Sequence, residues 1–391
     1  MIKHILTMLY NQKKKFTAVV FEQVLVFIAL SVSLAVTLDL FRSYRSPGML
    51  DVDNVIGFGY LVNKNHDGQA FVKSAEAMDA VKEKLEKKPY VEGISECMQI
   101  LPYQRPAENY WADSVSFASG KKVYAHYKVA DEAAEGVFKL DITRGRWFRD
   151  GERVNGLAPA VITEQLAAAS GLENPVGKIV YWRGQAYSIT GIVSGIKEVA
   201  LEEALPCIVL PFSFMGPTGV YEELAARVKP GYEDDFVNDF YLEWNRAIPG
   251  NQSDPYLTLL SEGKKASMES SIIQIVAVGV PALFLLLFTL IGTVGINLMD
   301  VEERKRELAL RMACGASRRS VMNLVILQNV LITGLSSIPG IIVILLSFPW
   351  ETSLPVVGFT VVLTLVLSVL CALYPAFKVF GMKPAELLKE E

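Results

Sequence analysis

The sequence predicts an α-helical membrane protein with four transmembrane helices and an α+β extracytoplasmic domain between helices 1 and 2. Three observations carry that prediction. Four apolar runs are long enough to cross a bilayer, a run of globular composition separates the first two, and the basic residues are placed unevenly. The 391 residues are 51% hydrophobic, with a mean hydropathy of +0.30. That is too apolar for an ordinary soluble domain and too polar for a chain wholly in lipid. The net charge of −4 says little; the distribution of the charges says more.

In chain order, residues 1–15 place Ile2, Ile5, Leu6 and Leu9 in a stripe ahead of Lys13-Lys14-Lys15. This suits a cytoplasmic amphipathic helix lying on anionic membrane lipids, although an ordinary basic flank has the same look. Residues 16–38 form the first span, interrupted by Glu22, Gln23 and a few hydroxyls. It is too long for a signal-peptide core and no small-residue cleavage site follows, so it reads as a retained anchor. Glu22 is costly in lipid and faces the bundle interior or water, or snorkels to the surface; whether it has a functional role stays open. The further spans are residues 271–298, 321–348 and 356–377. The last two are separated by a short outer loop, 349–355, whose Pro349-Trp350-Glu351-Thr352-Ser353 turn makes a helical hairpin. Asn297, Asn323, Gln328 and Asn329 are expected to hydrogen-bond between helices.

Orientation follows from charge. Outside residues 39–270 there are 13 Lys and Arg, all in residues 1–15, in the 299–320 loop or in the 378–391 tail. The positive-inside rule then puts both termini and that loop in the cytoplasm, with the chain a multi-pass membrane protein. Residues 39–270, with 25 basic and 33 acidic side chains, face outward.

That outer segment is long enough for a domain with its own core. Phe71, Ala75, Met78 and Leu85 have helical spacing, and Val91 to Ile94 begins a strand after Pro89. A similar unit recurs at Leu224 to Val228, a Lys229-Pro230-Gly231 turn, and Phe236, Phe240 and Trp244 on a helix. Two β-α units bracketing the domain point to a split α+β arrangement. Between them, Ala160 to Thr163, Ile179 to Trp182, Ala186 to Ile192 and Cys207 to Pro211 read as strands. Thr163 is an N-cap and Gly171 a stop for a short helix. Trp111, Tyr124, Tyr127, Trp147 and Phe148 either line a binding surface or pack the core.

Chemistry-bearing motifs are missing. The stretch from Gly171 to Gly177-Lys178-Ile179 has one residue too many for a phosphate-binding loop and lacks its magnesium-binding hydroxyl. No metalloprotease, serine-hydrolase or kinase signature occurs. His4, His66 and His126 are far apart, and Cys97, Cys207, Cys314 and Cys371 lack metal-ligand spacing. A Cys97–Cys207 disulfide and two free buried thiols are both open. The expectation is a chain that is not an enzyme and has no catalytic residue, no metal, no cofactor and no nucleic-acid partner; any ATP is bound by another chain.

The charged run Val301-Glu302-Glu303-Arg304-Lys305-Arg306-Glu307-Leu308-Ala309-Leu310-Arg311-Met312 cannot enter lipid. Glu302–Arg306 and Glu307–Arg311 are acid-to-base pairs at i, i+4. Gly315 stops this helix and Ser317 caps the next. A solvated loop would look the same; a short charged helix with Leu308 and Met312 on one side also suits docking to a cytoplasmic protein.

The run from Glu303 to Arg319 resembles the cytoplasmic loop of FtsX-like, MacB-type ABC permeases. Tyr374-Pro375-Ala376 followed by Lys383-Pro384-Ala385-Glu386-Leu387-Leu388 resembles the carboxy-terminal signature of that family. Gly145-Arg146-Trp147-Phe148, Ala160-Val161-Ile162-Thr163, Asn174-Pro175-Val176-Gly177-Lys178 and Ile189-Thr190-Gly191-Ile192-Val193 resemble the MacB-type periplasmic core. Cys314, before Gly315, departs from the small or aliphatic residue expected there.

The resemblance implies the permease subunit of an ABC transporter, coupling ATP hydrolysis by a separate ATPase subunit to movement of the extracytoplasmic domain. It implies export (efflux) of an amphiphilic or peptide-like substrate. The alternative is a non-transporting FtsX-like mechanotransmitter that regulates an extracytoplasmic hydrolase. The implied partners are the ABC-type ATPase, a second permease in a homodimer or heterodimer, membrane lipids, and a periplasmic adaptor or lipoprotein. Glu302, Glu303, Arg304, Lys305, Arg306, Glu307, Leu308, Arg311 and Met312 are then the ATPase-coupling residues.

Overall fold

The computed structural model describes residues 13–62, 68–103, 111–214, 223–248 and 253–380. The amino-terminal stripe through Leu9 and the Lys383 to Leu388 signature lie outside them. The chain divides into two compact units, Met1–Leu40 with Ile272–Glu391, and Phe41–Ser271.

The first unit is helical. Helices α1 (Lys13–Arg45), α6 (Leu260–Glu303), α8 (Arg318–Ser347) and α9 (Trp350–Phe380) carry its apolar sequence. All four are long and apolar enough to cross a membrane. α8 begins where Ser317 accepts a hydrogen bond from the Ser320 amide. The expected five-residue turn after it is shorter in the structure, because α9 starts at Trp350 and the Thr352 amide already donates to the Pro349 carbonyl. Pro281, Pro339, Pro355 and Pro375 lie inside helices. This is tolerated in bundles whose neighbours satisfy the freed carbonyls.

Among the described residues the second unit is built on one mixed sheet of 11 strands. Its outer part contains β1 (Val55–Val62), α2 (Gly68–Glu86) and β2 (Val91–Met98), then β10 (Glu223–Val228), α5 (Glu233–Ala247) and β11 (Ser253–Leu259). The strand order is β11-β1-β10-β2, every pair antiparallel. This is the ferredoxin-like, split β-α-β arrangement that the two sequence units implied. The two helices cover one face, where Phe58 meets Phe236 and Phe240 edge-on and Tyr60 stacks on Trp244.

The inserted part closes on itself. β4 (Lys122–Ala130) pairs with β3 (Ala112–Phe117), β3 with β7 (Ile179–Trp182), and β7 with β8 (Gln185–Val193). β8 pairs with β6 (Ala158–Thr163), β6 with β9 (Cys207–Pro211), and β9 returns to β4. A ring of six strands encloses Val115, Tyr127, Val180, Trp182, Ile189 and Ile208. α3 (Ala134–Phe138) and β5 (Ile142–Gly145), paired to β8, complete the domain, with α4 (Glu164–Ser170) following β6. Thr163 caps α4 through the Leu166 amide, and Gly171 ends it at φ 71°.

Trp147 and Phe148 stack in a core between ring and sheet, and Tyr127 is buried inside the ring. Core packing therefore accounts for these aromatics, whereas Tyr124 is 72% exposed. Cys97 and Cys207 are free and buried on separate strands, so no disulfide joins them. Burial raises both thiols above their usual range, to about 12 for Cys207.

Inside the domain a buried ion cluster joins the ring to the loop before β9. Glu198 Oε1 lies 2.7 Å from Lys128 Nζ and 2.8 Å from His126 Nδ1, and Lys128 also donates to the Gln99 carbonyl at 2.8 Å. Burial alone would raise the Glu198 carboxyl; His126 and Lys128 outweigh it and hold it below the usual range. The preceding residue, Lys197, is also buried and donates to the Ser43 carbonyl.

Candidate functional site

The charged run folds as a short helix of its own. α6 ends at Glu303, and Arg304, at φ −101° and ψ 7°, breaks the helical path before α7 (Lys305–Ala313). α7 closes with a Schellman motif: the Ala316 amide donates to the Arg311 carbonyl at 2.9 Å and the Gly315 amide to the Met312 carbonyl at 3.1 Å. Gly315 sits at φ 98°, which only glycine adopts without strain.

The two sides of α7 differ. Leu308, 1% exposed, and Ala309 face inward; Leu308 packs with Val301, Val321, Val325 and Ala376. Met312 is partly buried against the same cluster. Leu308 and Met312, expected to form the apolar docking side, instead fasten α7 to its own bundle. The apolar residue turned outward is Leu310, 55% exposed, with Arg306 also exposed. Leu310 was not among the predicted site residues. Its signal was available, because it lies two positions from Leu308 and so on another side of the helix.

The charges divide in the same way. Arg304 is 8% exposed. Its guanidinium reaches Asp300 Oδ2 at 3.3 Å, Gln328 Oε1 at 3.1 Å and Glu307 Oε2 at 3.1 Å. Burial alone would lower its pKa, but Glu307 and Asp300 more than offset this and raise it. Burial likewise pushes the Glu307 carboxyl up, while Arg304 and Arg311 pull it below the usual range. Glu307 also pairs with Arg311 at 2.7 Å. Glu302, expected beside Arg306, pairs with Lys305 at 3.0 Å and Lys378 at 3.2 Å. Glu302, Glu303, Arg306 and Glu307 are exposed; Lys305 and Arg311 are half-buried.

Polar side chains also meet inside the bundle. Thr289 donates to Glu22 at 2.8 Å, Ser336 to Gln23 at 2.9 Å and Thr333 to Ser368 at 2.9 Å. Gln328 makes its interhelical bond to Asp300 at 3.3 Å, whereas Asn329 bonds Val325 of its own helix. A cavity lined by Gln23, Thr289, Thr333, Ser336 and Ser368 has a volume of about 40 Å³. Among the described residues no group of three or more His, Cys, Asp or Glu could hold a metal ion.

Residues 26–239 match the MacB-like periplasmic core domain, and residues 279–384 match the FtsX-like permease C-terminal domain. The uncharacterized ABC transporter permease YknZ of Bacillus subtilis (strain 168) is 24% identical over 71% of this chain and 74% of its own length. The macrolide export ATP-binding/permease protein MacB of Campylobacter jejuni (strain 81-176) is 24% identical over 71% of this chain. The pyoverdine export ATP-binding/permease protein PvdT of Pseudomonas entomophila (strain L48) is 23% identical over 65%. The chain spans only 47% and 41% of these last two relatives. Among solved structures, the periplasmic region of MacB from Actinobacillus actinomycetemcomitans aligns with a TM-score of 0.38 at 15% identity, covering 55% of this chain and 92% of that one. Two adjoining matches, in the chain order and over the segments that the motifs marked, make this chain a member of the MacB-like, FtsX-like family of ABC transporter permeases.

Proposed function

We propose that the chain is the membrane subunit of a bacterial inner-membrane ABC exporter. A separate ATPase binds α7 on the cytoplasmic side, and its hydrolysis cycle moves the domain of residues 41–271 outside the cytoplasm. The observation that carries this reading is the two-sided build of α7. Its inner side is fixed by Leu308 and its outer side presents Leu310 and Arg306. One exposed leucine is ordinary on a protein surface; beside Arg306, on the side of α7 turned away from the bundle, it supports docking to a partner.

The basic clusters support a topology with both termini and α7 on the cytoplasmic side, by the positive-inside rule. The cavity of about 40 Å³ inside one copy of the bundle has room for water, not for an amphiphile. The macrolide and pyoverdine exporters among the relatives favour an amphiphilic or peptide-like substrate. The names of these relatives join ATP-binding and permease parts; in the proposed complex the ATPase is a separate subunit, with the permease paired as a dimer and an adaptor or lipoprotein outside.

The test is affinity purification of the full chain from native membranes, with co-purifying proteins identified and ATP hydrolysis assayed. A stoichiometric ATPase is expected, and Leu310→Ser should weaken its binding about tenfold, on the order of 1.4 kcal/mol. Purification without any ATPase, under conditions that keep a control complex intact, would remove this reading. An extracytoplasmic hydrolase as the other partner would instead favour a regulator of the FtsX-like kind.

A further inference from the structure

Among the charged residues of the run, Arg304 is set apart by burial and by the number of helices it joins. It sits in the break between α6 and α7. From there one guanidinium contacts Asp300 on α6, Glu307 on α7 and Gln328 on α8. Gln328 Nε2 in turn donates to Asp300 Oδ2 at 3.3 Å, closing a ring of three side chains around Asp300 Oδ2. Two of these groups, Asp300 and Gln328, are themselves buried. A planar guanidinium with five donors can hold three acceptors in fixed directions; an ammonium cannot reproduce that geometry.

We propose that Arg304 is a positioning residue that clasps α7 to α6 and α8 at once, so that a displacement of α7 is delivered to both membrane helices together. Without the clasp, the break at Arg304 and the turn at 314–317 are two hinges that absorb the displacement. Arg304 on this account does not touch the ATPase; the exposed Arg306 and Leu310 do. The inference rests on the proposed docking of an ATPase to α7, but the clasp itself is testable without one.

The experiment uses the full chain in lipid nanodiscs, alone and with its ATPase. Cys314 is exposed while Cys97, Cys207 and Cys371 are buried, so the native thiol at the end of α7 accepts a spin label. Met299→Cys, on an exposed position of α6, supplies the second label. The wild-type pair should give a narrow distance distribution. Arg304→Gln should broaden it, keep the ATPase at wild-type stoichiometry with an ATP KM within about twofold, and lower the permease-stimulated kcat at least tenfold. Arg304→Lys, which keeps the charge, should behave like Arg304→Gln and serves if the glutamine variant fails to insert. Arg306→Gln should do the reverse, reducing bound ATPase while leaving the distribution narrow.

An unchanged distribution or a wild-type kcat in both Arg304 variants would overturn the proposal. So would equal broadening by Arg306→Gln. If the wild-type chain binds no ATPase, the functional reading fails, while the label distances still decide the clasp.

Discussion

The two units of this chain are built inside out with respect to each other. In the domain of residues 41–271, aromatic and aliphatic side chains such as Phe58, Phe236 and Trp182 are interior, and most charges are outside. In the helical unit the large apolar residues Phe284, Phe288, Ile291 and Leu346 are exposed. There the interior holds Thr289, Thr293, Asn297 and Asp300 on one side of α6, Arg304 just after it, and Gln328, Thr333 and Ser336 on α8. The difference teaches what holds each together. Removing apolar surface from water stabilises the domain, about 25 cal/mol per Å² buried. Between helices in lipid that gain vanishes, leaving close contact through small residues and hydrogen bonds. Gly340 is such a residue: a Cβ there would run into the Phe27 ring of α1.

The largest expected effects come from one substitution in the interior of each unit. Glu198→Ala removes the carboxylate beside the buried Lys128 and should destabilise the domain by about 3–5 kcal/mol. Denaturant unfolding of the full chain in detergent, followed by tryptophan emission, measures it. A loss below about 1 kcal/mol would mean that the cluster tolerates an unmatched charge. Gly340→Leu should cost the helical unit about 1–3 kcal/mol by forcing α8 from α1. Its mark is a lower thermal midpoint for the detergent-solubilised chain with domain fluorescence unchanged. An unshifted midpoint would show that the helices repack around the new side chain.

Smaller effects test the edges of the comparison. The Arg146 guanidinium beside Glu152 holds that carboxyl at about 2, against an ordinary 4.5, with burial opposing it and the Arg149 amide helping. A depressed carboxylate stabilises the fold above pH 4.5, and the contribution is lost as pH falls from 4.5 to about 2. Arg146 is largely exposed, so solvent screening limits the pair to about 0.5–1 kcal/mol. Arg146→Gln should therefore differ from wild type by that amount at pH 6 and converge with it near pH 2; parallel acid-unfolding curves would refute this. Thr333→Ala, which removes the bond to Ser368, should cost only about 0.6 kcal/mol. A cost as large as that of Glu198→Ala would erase the distinction between the two interiors.

What the sequence made legible was local. Thr163 and Gly171 bound α4 because caps act within four residues, and Phe236, Phe240 and Trp244 mark α5 because their spacing belongs to one helix. Gly315 ends α7 for the same reason. The ring of six strands was not legible, since the parallel β4–β9 pairing joins His126 to Cys207 across a long insertion. β11 was hidden by Pro255, which is tolerated because that strand lies at the end of the sheet. The site was half legible. The charged run marked α7, but Arg304 looked like its charged neighbours; Asp300 and Gln328, which bury it, lie outside the run.

One topological detail has a kinetic consequence. β1 is the first strand of its sheet to leave the ribosome, yet both of its neighbours, β10 and β11, are among the last. Val55 must wait for Arg227, ~170 residues of synthesis, which at about 5–20 residues per second is on the order of 10–30 s. Through that interval β1 has two unpaired edges and an apolar sequence, VIGFGYLV. The nascent domain is then most open to wrong strand pairing and most dependent on a chaperone; a slowly translated carboxy-terminal half would lengthen the exposure in proportion.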